Sequence, residues 1–527
     1  MTETIREQAL VEDLCMACRV GDIENVDKLL SMGANVNKVD KFDNTALYLA
    51  SLCGHEPIVK LLLQRGAVCD TDKYEGARCV YGALTDKIRK MLISYDISKA
   101  VDTNLPFASH FRSLFLSRDL LSEDLVIQLG DNSSAIERCH RFMLSARNAY
   151  FRQKLTTTWK HANYLELNEE FPDELALRCI IDHIYLIQDS SKFGRVNKEK
   201  LLEYAKWFQL HEFASEIEEY LKISDIKERS KFMNELQVKV FEDARIDFKL
   251  LVDRGIIANK LEMPIDQKIT VDQIKELQYE TSTFPDIVIY IEDEYQGKTV
   301  YFPVHRSVLV RVEYFKVMFG SSFSESQYFE INQVLDIVDR ATLIPVINLP
   351  VSSIEVAEII IKYLYFDHTD IPEEFAIDVL FAGDLLLSDR LKTMAAVTIT
   401  RSDQQNSYGY DLYDILRAGW QTRVDRLEHY AARLIADDID KFLVDPRFRE
   451  IVDESSKRIE KRQETDTIEL IDDIRFYLAK KWKIDFDGLF EGETESADFL
   501  AKLPGFENYQ TDLDKIEILL EDLQLEA

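Results

Sequence analysis

Two stretches of this chain are versions of one module. The first runs from Asp124 to Phe151 and the second from Asp286 to Phe315. Each begins with Asp and a β-branched run, reaches a His-Arg pair, and ends on Tyr-Phe. The run predicts a strand hairpin, and the apolar spacing after the histidine predicts helices. A hairpin followed by helices, present twice, is typical of an assembly module that binds other proteins.

A second repeat occupies the N-terminus. Gly21 and Gly54 are 33 residues apart, and apolar residues such as Val59, Leu62 and Leu63 follow at helical spacing. These side chains need a neighbouring repeat to cover them. A 33-residue period of two short helices and a Gly-Ala turn is the signature of ankyrin repeats. A shorter third unit follows and predicts a terminal cap.

The charge of the chain restricts its partners. The formal net charge is −31, and a surface that binds nucleic acid needs Lys and Arg to neutralise phosphates. We therefore predict partners with basic or apolar protein surfaces, and no nucleic acid. The alternative is that the acidity serves solubility alone.

The cellular compartment is predicted from the lack of membrane-spanning and secretion-signal patterns and from the cysteine content. No apolar run approaches the roughly 18 to 20 residues that cross a bilayer, so we predict no membrane partner. The first residues lack the basic-then-apolar layout of a secretion signal. Seven cysteines, an odd number, favour reduced thiols over a disulfide framework. We predict a cytoplasmic protein, with the nucleus as a second compartment.

The predicted fold class is α+β multidomain, because 527 residues at about 150 per domain allow three or four domains. The tail carries 13 Asp and Glu against 2 Lys, and either a disordered arm or a docked helix fits it. A longer spacing in the second module predicts a polar surface arm near residues 321–342. The predicted parts are ankyrin repeats at 1–100, the first module at 106–222, a helical connector at 223–283, the second module at 284–398, a helical region at 399–483 and an acidic tail at 484–527.

Catalytic motifs are absent from the sequence. It contains no phosphate-binding Gly-x-x-x-x-Gly-Lys-Ser/Thr, no Gly-x-Ser-x-Gly and no His-Glu-x-x-His. The lone pair Cys15 and Cys18 lies in the first ankyrin helix, which favours packing over a redox or zinc site. His140 and His305 are predicted to be structural and hydrogen-bonded, because no Cys/His cluster lies near them. We predict no enzyme, no cofactor and no metal.

The order of these parts resembles one family, the ankyrin-repeat and BTB/POZ domain-containing proteins of the Bpoz type. Residues 76–84, Gly-Ala-Arg-Cys-Val-Tyr-Gly-Ala-Leu, and the pair of segments 462–468 and 472–476 look like signatures of that family. The resemblance implies two BTB domains and a helical region that looks like part of a BACK region. It covers nearly the whole chain.

The resemblance also implies a function. Such proteins are thought to be non-catalytic substrate adaptors of cullin-RING ubiquitin ligases of the cullin-3 class, and translation elongation factor 1-alpha has been linked to the family as a target. The second module offers the expected apolar-x-Glu step at Phe323 and Glu325, whereas the first has Trp159, Lys160 and His161 at that offset. We predict cullin docking at the second module and substrate capture by the ankyrin block. The alternative is a scaffold or chaperone-like binder of a translation factor with no ligase attached.

Two charged pairs have alternative interpretations. Asp124 with Arg141, and Asp286 with Arg306, match a pair that lines a charged pocket at the dimer contact of some BTB domains. The alternative, which we favour, is that each pair orients its own hairpin against the following helix. Because one chain holds two modules, we predict either intramolecular BTB–BTB pairing or a homodimer.

The second module is one residue shorter between its histidine and its final phenylalanine. His140 to Phe151 spans twelve residues, and His305 to Phe315 spans eleven. A deletion within a helix rotates everything after it by about 100°. The sequence therefore predicts that the surface beside Phe323 is displaced if the deletion lies inside a helix.

Overall fold

The computed structural model describes most of the chain. The described residues are 2–31, 34, 36–42, 44–64, 67, 69, 74–94, 105–116, 122–129, 136–167, 170–187, 190–224, 226–279, 282–320, 344–351, 353–368, 370–400, 410–458, 468–484 and 505–525. The chain forms two compact units. One comprises Met1–Asp370 with Leu385–Ser388, and the other comprises Ile371–Asp384 with Asp389–Ala527.

The N-terminal repeats fold into paired helices. Gly21 and Gly54 both have positive φ angles, of 84° and 79°, at the turn inside their pairs, which glycine adopts at little cost. Val59, Leu62 and Leu63 are fully buried against the neighbouring pair. The helices are α1 (Thr2–Val20), α2 (Ile23–Ser31), α3 (Ala46–Leu52), α4 (Glu56–Gln64), α5 (Tyr74–Tyr81) and α6 (Asp86–Ser94).

The first module contains the predicted hairpin and helices. Its sheet has the order β2-β1-β3, with β1 antiparallel to β2 and parallel to β3. Leu125 lies opposite Cys139, and Val126 lies opposite Tyr164. The elements are α7 (Leu105–Leu116), β1 (Leu125–Gln128), β2 (Ile136–Cys139), α8 (Arg141–Arg147), α9 (Ala149–Thr156), β3 (Tyr164–Glu166), α10 (Glu174–Ile184), α11 (Ser190–Arg195), α12 (Lys198–Trp207) and α13 (His211–Lys222).

Helix α10 shows why the predicted apolar stripe forms a helix. The Asp173 side chain accepts a hydrogen bond from the backbone N–H of Ala176 and so caps the first turn. Leu177, Ile181 and Ile184 recur at helical spacing and are fully buried. The helix therefore buries one continuous face in the core of the module.

The segment between the modules differs from the prediction of a purely helical connector. Besides α14 (Ile226–Leu250), a π-helical turn (Leu251–Ile257) and α15 (Val271–Tyr279), it contains the strand β4 (Leu261–Pro264). Strand β4 pairs antiparallel with the hairpin of the second module. Its Leu-Glu-Met-Pro sequence has no strong strand pattern. The segment therefore becomes a strand because it pairs with the edge of the sheet in the second module.

The second module repeats the arrangement with one more strand. Its sheet has the order β4-β6-β5-β7, with β5 antiparallel to β6 and parallel to β7. The Ser353 side chain caps the long helix α18 by accepting from Val356 N. The elements are β5 (Ile287–Asp293), β6 (Lys298–Val304), α16 (Arg306–Leu309), α17 (Glu313–Gly320), β7 (Val346–Asn348) and α18 (Ile354–Phe366). The predicted arm at residues 321–342 lies outside the described residues.

The one-residue deletion falls between two helices. Helix α16 has four residues where α8 has seven, and α17 begins after a short link. Phe315 is fully buried, as Phe151 is in the first module. The shorter first helix therefore absorbs the deletion, and the predicted rotation of the following helix does not apply.

The second compact unit is helical, and the C-terminal end of the chain docks on it. The described part of the acidic tail forms α26 (Phe506–Asp522), with Ile516 and Leu520 buried in the core of the unit. The Trp482 indole N–H donates to the Asp512 carboxylate at 3.0 Å. The docked-helix alternative is therefore the correct one for residues 506–522. The other helices are α19 (Ala376–Leu385), α20 (Asp389–Thr400), α21 (Leu412–Thr422), α22 (Asp425–Asp437), α23 (Ile439–Leu443), α24 (Pro446–Lys457) and α25 (Glu469–Lys481).

Candidate protein-docking surfaces

The two modules contact each other inside the chain, beginning with the helices that precede them. Phe107 and Phe111 lie on α7, before the first hairpin, and Phe248 lies on α14, before the second. The Phe111 and Phe248 rings stack with centroids 4.5 Å apart, and the Phe107 ring meets the edge of Phe248 at 5.8 Å. All three side chains are fully buried. We call this contact between the modules and their preceding helices the seam.

Each preceding helix also reaches the opposite module. His110 on α7 donates from Nε2 to the carbonyl oxygen of Ser307 in the second module, at 2.6 Å. In the reverse direction, Arg147 of the first module forms a buried ion pair with Asp247 on α14. Such reciprocal contacts are typical of two-fold related subunits in a dimer, and here both partners belong to one chain.

Arg311 extends the seam into the second module. Its guanidinium lies 5.9 Å from the centre of the Phe107 ring. It also donates to the Leu364 carbonyl and pairs with the Asp367 carboxylate at 2.5 Å. The Arg311 side chain is 7% exposed and that of Asp367 is 0% exposed. Because both groups are buried, removing either partner would leave an uncompensated charge in the interior.

The chain that enters the second hairpin contacts the first module. Ser145 Oγ donates to the Ser282 carbonyl at 2.9 Å, and the Phe142 ring stacks on the His305 ring at 4.3 Å. Phe284 has a φ of 57°, which is unfavourable for a bulky side chain. Packing at the seam therefore holds this residue in a strained conformation.

The two predicted charged pairs orient their own hairpins. Arg141 N donates to Asp124 Oδ1, and Arg306 N donates to Asp286 Oδ1, each at 2.8 Å. Each Asp thereby satisfies a free N–H at the start of the helix that follows the hairpin. The side-chain ion pairs are looser in the first module, at 3.7 Å, than in the second, at 3.2 Å. This geometry fits the orienting interpretation, and the charged-pocket role stays a prediction.

The two pairs nevertheless lie near each other across the seam. Loss of water raises the pKa of the Asp124 carboxyl, and the charge of Asp286 raises it further, while Arg141 acts against both. The Asp124 side chain keeps 43% of its surface open to solvent. Solvent therefore screens the charge of this carboxylate.

His140 and His305 are buried and hydrogen-bonded, as predicted. Each is held by a tyrosine from a later helix, at the spacings of 45 and 60 residues. Tyr185 Oη accepts from the backbone N–H of His140 at 2.7 Å, and Tyr365 Oη accepts from that of His305 at 3.0 Å. Tyr365 Oη also lies 2.7 Å from His305 Nδ1 and gives its proton there. A neutral His305 ring can accept the Tyr365 hydroxyl proton at Nδ1. A protonated ring carries a proton of its own on Nδ1, and the two protons would then face each other.

We predict that acid destabilises the protein through these two rings. Burial lowers the pKa of His140 to about 4 and also lowers the pKa of His305. The folded-state pKa lies below the unfolded value near 6.5, so stability is complete above about pH 6.5 and is lost as the pH falls toward 4. We expect a loss of roughly 2 kcal/mol from His140 alone by pH 5, measured by chemical unfolding at several pH values.

The control for this prediction replaces both rings with an amide. A His140→Gln/His305→Gln variant should be less stable at pH 7.5 but should lose less stability than the native chain between pH 6.5 and pH 5. An unchanged pH slope in that variant would contradict the assignment.

Phe323 and Glu325, the predicted cullin-docking residues, lie outside the described residues. Three apolar side chains on or beside α17 are exposed among the described residues of this module: Val317 is 50% exposed, Leu385 56% and Leu387 61%. Tyr314 N on α17 donates to Leu386 O at 3.4 Å, which joins the two parts of this surface. Sequence reasoning missed these three residues, although Val317 is an apolar residue on the side of α17 opposite the buried Phe315.

At the corresponding offset of the first module, Trp159 packs against side chains of its own module and stays partly exposed. Trp159 stands at the offset of Phe323, and its ring centroid lies 6.0 Å from those of Tyr150 and Phe151. Arg141 fixes the segment by donating to the carbonyls of Lys160 and Ala162, at 3.0 and 2.5 Å. In sequence, the two modules differ at this offset, because Trp159 and His161 stand in the places of Phe323 and Glu325.

The ankyrin block also has an exposed apolar surface. Val20, Leu52, Tyr81 and Leu84 lie at or just past the ends of α1, α3 and α5, and Tyr81 is 81% exposed. Leu84 N donates to Ser51 O at 3.0 Å, so the third unit is joined directly to the second. Exposed aromatic and aliphatic side chains of consecutive repeats are typical of a binding surface.

The described residues form no metal-binding site and no reactive thiol site. No group of three or more His, Cys, Asp or Glu among them could hold a metal ion. Cys15 and Cys18 are buried, and burial raises their pKa values well above that of a free thiol. Such thiols pack as small apolar groups and are poor nucleophiles. No helix in the described part of the chain is long and apolar enough to span a membrane.

The geometry defines an ankyrin-repeat protein with a duplicated interaction domain, and comparison with known proteins agrees. The family model of ankyrin repeats (many copies) matches residues 14–63, and that of the BTB/POZ domain matches residues 114–225 and 275–402. Both are protein-interaction domains, and no catalytic domain was identified among these matches.

Two relatives resemble the chain over nearly its whole length. The Ankyrin repeat-containing protein YIL001W of Saccharomyces cerevisiae is 40% identical over 485 residues, 92% of each chain. BTB/POZ domain-containing protein 3 of Schizosaccharomyces pombe is 36% identical over 529 residues, 99% of this chain and 91% of the relative. The chain therefore belongs to the family of ankyrin-repeat and BTB/POZ domain-containing proteins, and its two modules are BTB domains.

Proposed function

We propose that the protein is a non-catalytic substrate adaptor of a cullin-RING ubiquitin ligase of the cullin-3 class. The second BTB domain holds the cullin through Phe323 and Glu325. An apolar anchor with one neighbouring charge is a common way to fix both affinity and register in a protein interface. The ankyrin block captures a protein substrate, for which elongation factor 1-alpha is the candidate that the family resemblance implies.

The observation that carries this proposal is the difference between the two BTB domains. On the second domain, Val317, which precedes Phe323 by six residues in the sequence, is exposed, and so are Leu385 and Leu387. On the first, Trp159 covers the equivalent aromatic pair and no Glu follows it. Solvent-exposed apolar groups at one face favour a partner there, so docking is assigned to the second domain only.

The ankyrin surface of Val20, Leu52, Tyr81 and Leu84 supports the substrate role. Aromatic and aliphatic anchors of this kind contribute much of the affinity in protein interfaces. Holding substrate and cullin on one chain raises the effective concentration of the substrate at the ligase. This advantage needs no reaction centre in the adaptor itself.

The seam supports intramolecular BTB pairing. Phe107, Phe111 and Phe248 are fully buried within one chain, and His110 and Arg147 make reciprocal contacts. We propose that this pairing takes the place of a homodimer. Light scattering of the purified chain should give the monomer mass of 61.3 kDa, and a stable mass of twice that value would favour the homodimer.

The cytoplasm is the proposed compartment, with the nucleus as a second one. All seven cysteines, including the partly exposed Cys53, are free thiols. Free thiols persist in a reducing compartment.

The docking proposal predicts loss of cullin binding on a double substitution. A Phe323→Ala/Glu325→Ala variant removes the apolar anchor and the neighbouring charge, and should reduce co-purification of a cullin-3-class protein to background. The measurement is quantitative pulldown with the full-length chain, together with its melting temperature. The melting temperature should stay unchanged, because the proposal has these side chains contact the partner and not the core.

The matched control is Ser324→Ala in the same segment, which should bind the cullin as the native chain does. Unchanged binding of the double variant would move docking elsewhere on the chain. Failure of the native chain to bind any cullin would favour a scaffold or chaperone-like protein with no ligase attached.

A further inference from the structure

The first BTB domain contains a stretch of unusual charge. Residues 138–165 include six Lys and Arg and no Asp or Glu, in a chain whose net charge is −31. Two of these cations, Arg141 and Arg147, have buried side chains that pair with Asp124 and Asp247. The other four, Arg138, Arg152, Lys154 and Lys160, give this stretch a positive charge.

Some of these basic side chains lie on α9 and in the turn that follows it. Lys160 and His161 are exposed, and Lys154 is partly exposed. The Lys154 ammonium lies 5.6 Å from the centre of the Tyr150 ring and 5.8 Å from that of Trp159. Neither lysine forms an ion pair with a residue that the structure describes. We call Lys154, Trp159, Lys160 and His161 the cationic face.

The cationic face is held in a fixed shape. Arg141 donates to the Lys160 carbonyl at 3.0 Å and to the Ala162 carbonyl at 2.5 Å. Trp159 N donates to the Lys154 carbonyl at 2.8 Å. A surface that is already ordered loses little conformational entropy when a partner binds.

The sequence of the second BTB domain carries a Glu at the corresponding offset. Counting from the buried phenylalanine that ends each module, Trp159 stands where Phe323 stands, and His161 stands where Glu325 stands. The chain therefore keeps an aromatic residue at this position in both domains but reverses the neighbouring charge. A partner selected by one face would be repelled by the other.

We infer that the cationic face binds an acidic polypeptide segment of a partner protein. Lys154, Lys160 and His161 would meet carboxylates, and the half-buried Trp159 ring would contact an apolar side chain between them. The inference concerns a different domain from the proposed cullin site and does not depend on it.

A polypeptide fits this face better than an extended polyanion does. The face is small, and the chain beyond it returns to acidic residues at Glu166, Glu170 and Glu174. A nucleic acid or an anionic membrane would extend past the face and meet this repulsion. A short acidic segment can stay within it.

The test uses the full-length chain and a short fluorescein-labelled peptide of Glu and Asp around one Phe. We expect saturable binding at low ionic strength that weakens as salt is added. The Lys154→Glu/Lys160→Glu variant should bind the peptide at least about tenfold more weakly. The matched control, Lys200→Glu/Lys206→Glu on α12 of the same domain, carries the same change in charge and should bind as the native chain does.

Three results would overturn the inference. They are absence of peptide binding to the native chain, equal weakening by the control variant, and tighter binding of a thymidine oligonucleotide or of phosphatidylserine vesicles than of the peptide. A milder Lys160→Ala variant, with its melting temperature, separates lost binding from lost folding. Cullin pulldown should be unaffected by Lys154→Glu/Lys160→Glu, so failure of this inference is distinct from failure of the proposed function.

Discussion

Replacing Phe248 with alanine is expected to lower the free energy of unfolding by about 3 to 5 kcal/mol, because it empties a closely packed aromatic site. The Phe248 ring is fully buried, stacks on Phe111 at 4.5 Å and meets Phe107 at 5.8 Å. No other side chain joins the preceding helices α7 and α14 through so many ring contacts in the described residues. Chemical unfolding of the purified chain measures the loss.

The control for Phe248→Ala is Phe476→Ala on α25. Phe476 is about half exposed, so its loss should change stability far less. A small effect of Phe248→Ala, similar to that of the control, would mean that the seam contributes little to the fold. A variant that becomes a stable dimer by light scattering would show that opening the seam frees the BTB surfaces to pair between chains.

Replacing Arg311 with methionine is expected to cost about 3 to 5 kcal/mol, as removal of one partner from a buried ion pair does. Methionine keeps much of the apolar volume but removes the charge beside Asp367 and the donor to the Leu364 carbonyl. The stacking contact with Phe107 is also lost. Chemical unfolding at neutral pH measures the change.

Arg311→Lys should recover part of this loss, because it restores the charge without the planar guanidinium that reaches several acceptors. Arg447→Met serves as the control, since Arg447 forms ion pairs with Asp411 and Asp445 at an exposed site. Exposed pairs contribute little, so the control should remain close to the native chain. Equal losses for Arg311→Met and Arg447→Met would exclude a special role for the buried pair.

Local patterns in the sequence were sufficient for most elements of the fold. The spacing of Leu177, Ile181 and Ile184 predicts α10, and the glycines 33 residues apart predict the turns of the ankyrin pairs. Both predictions depend on neighbours within a few turns, where periodicity and backbone freedom decide the conformation. The same holds for the Cys15 and Cys18 pair, whose packing role follows from its helix.

Other features depend on residues distant in the chain and were not predicted. Strand β4 has weak strand propensity and forms because the edge of β6 is available to it. The condition for a rotated surface beside Phe323 is not met in the described residues, because α16 is shorter than α8 and the deletion lies before α17 begins. The positions of Phe323 and Glu325 lie outside the described residues, so their role remains a prediction.

The amino-acid sequence by itself determined that this chain has ankyrin pairs and two related BTB domains. These predictions depend on the repeat length, the apolar period and the positions of the Asp, His-Arg and Tyr-Phe residues. Such features are local or periodic, so they predict helices and strands directly. Only the tertiary structure decided that the two domains pair with each other through Phe111, Phe248 and the reciprocal contacts of His110 and Arg147. The physical reason is that such a seam joins residues a hundred or more positions apart, and their contact depends on how whole helices pack.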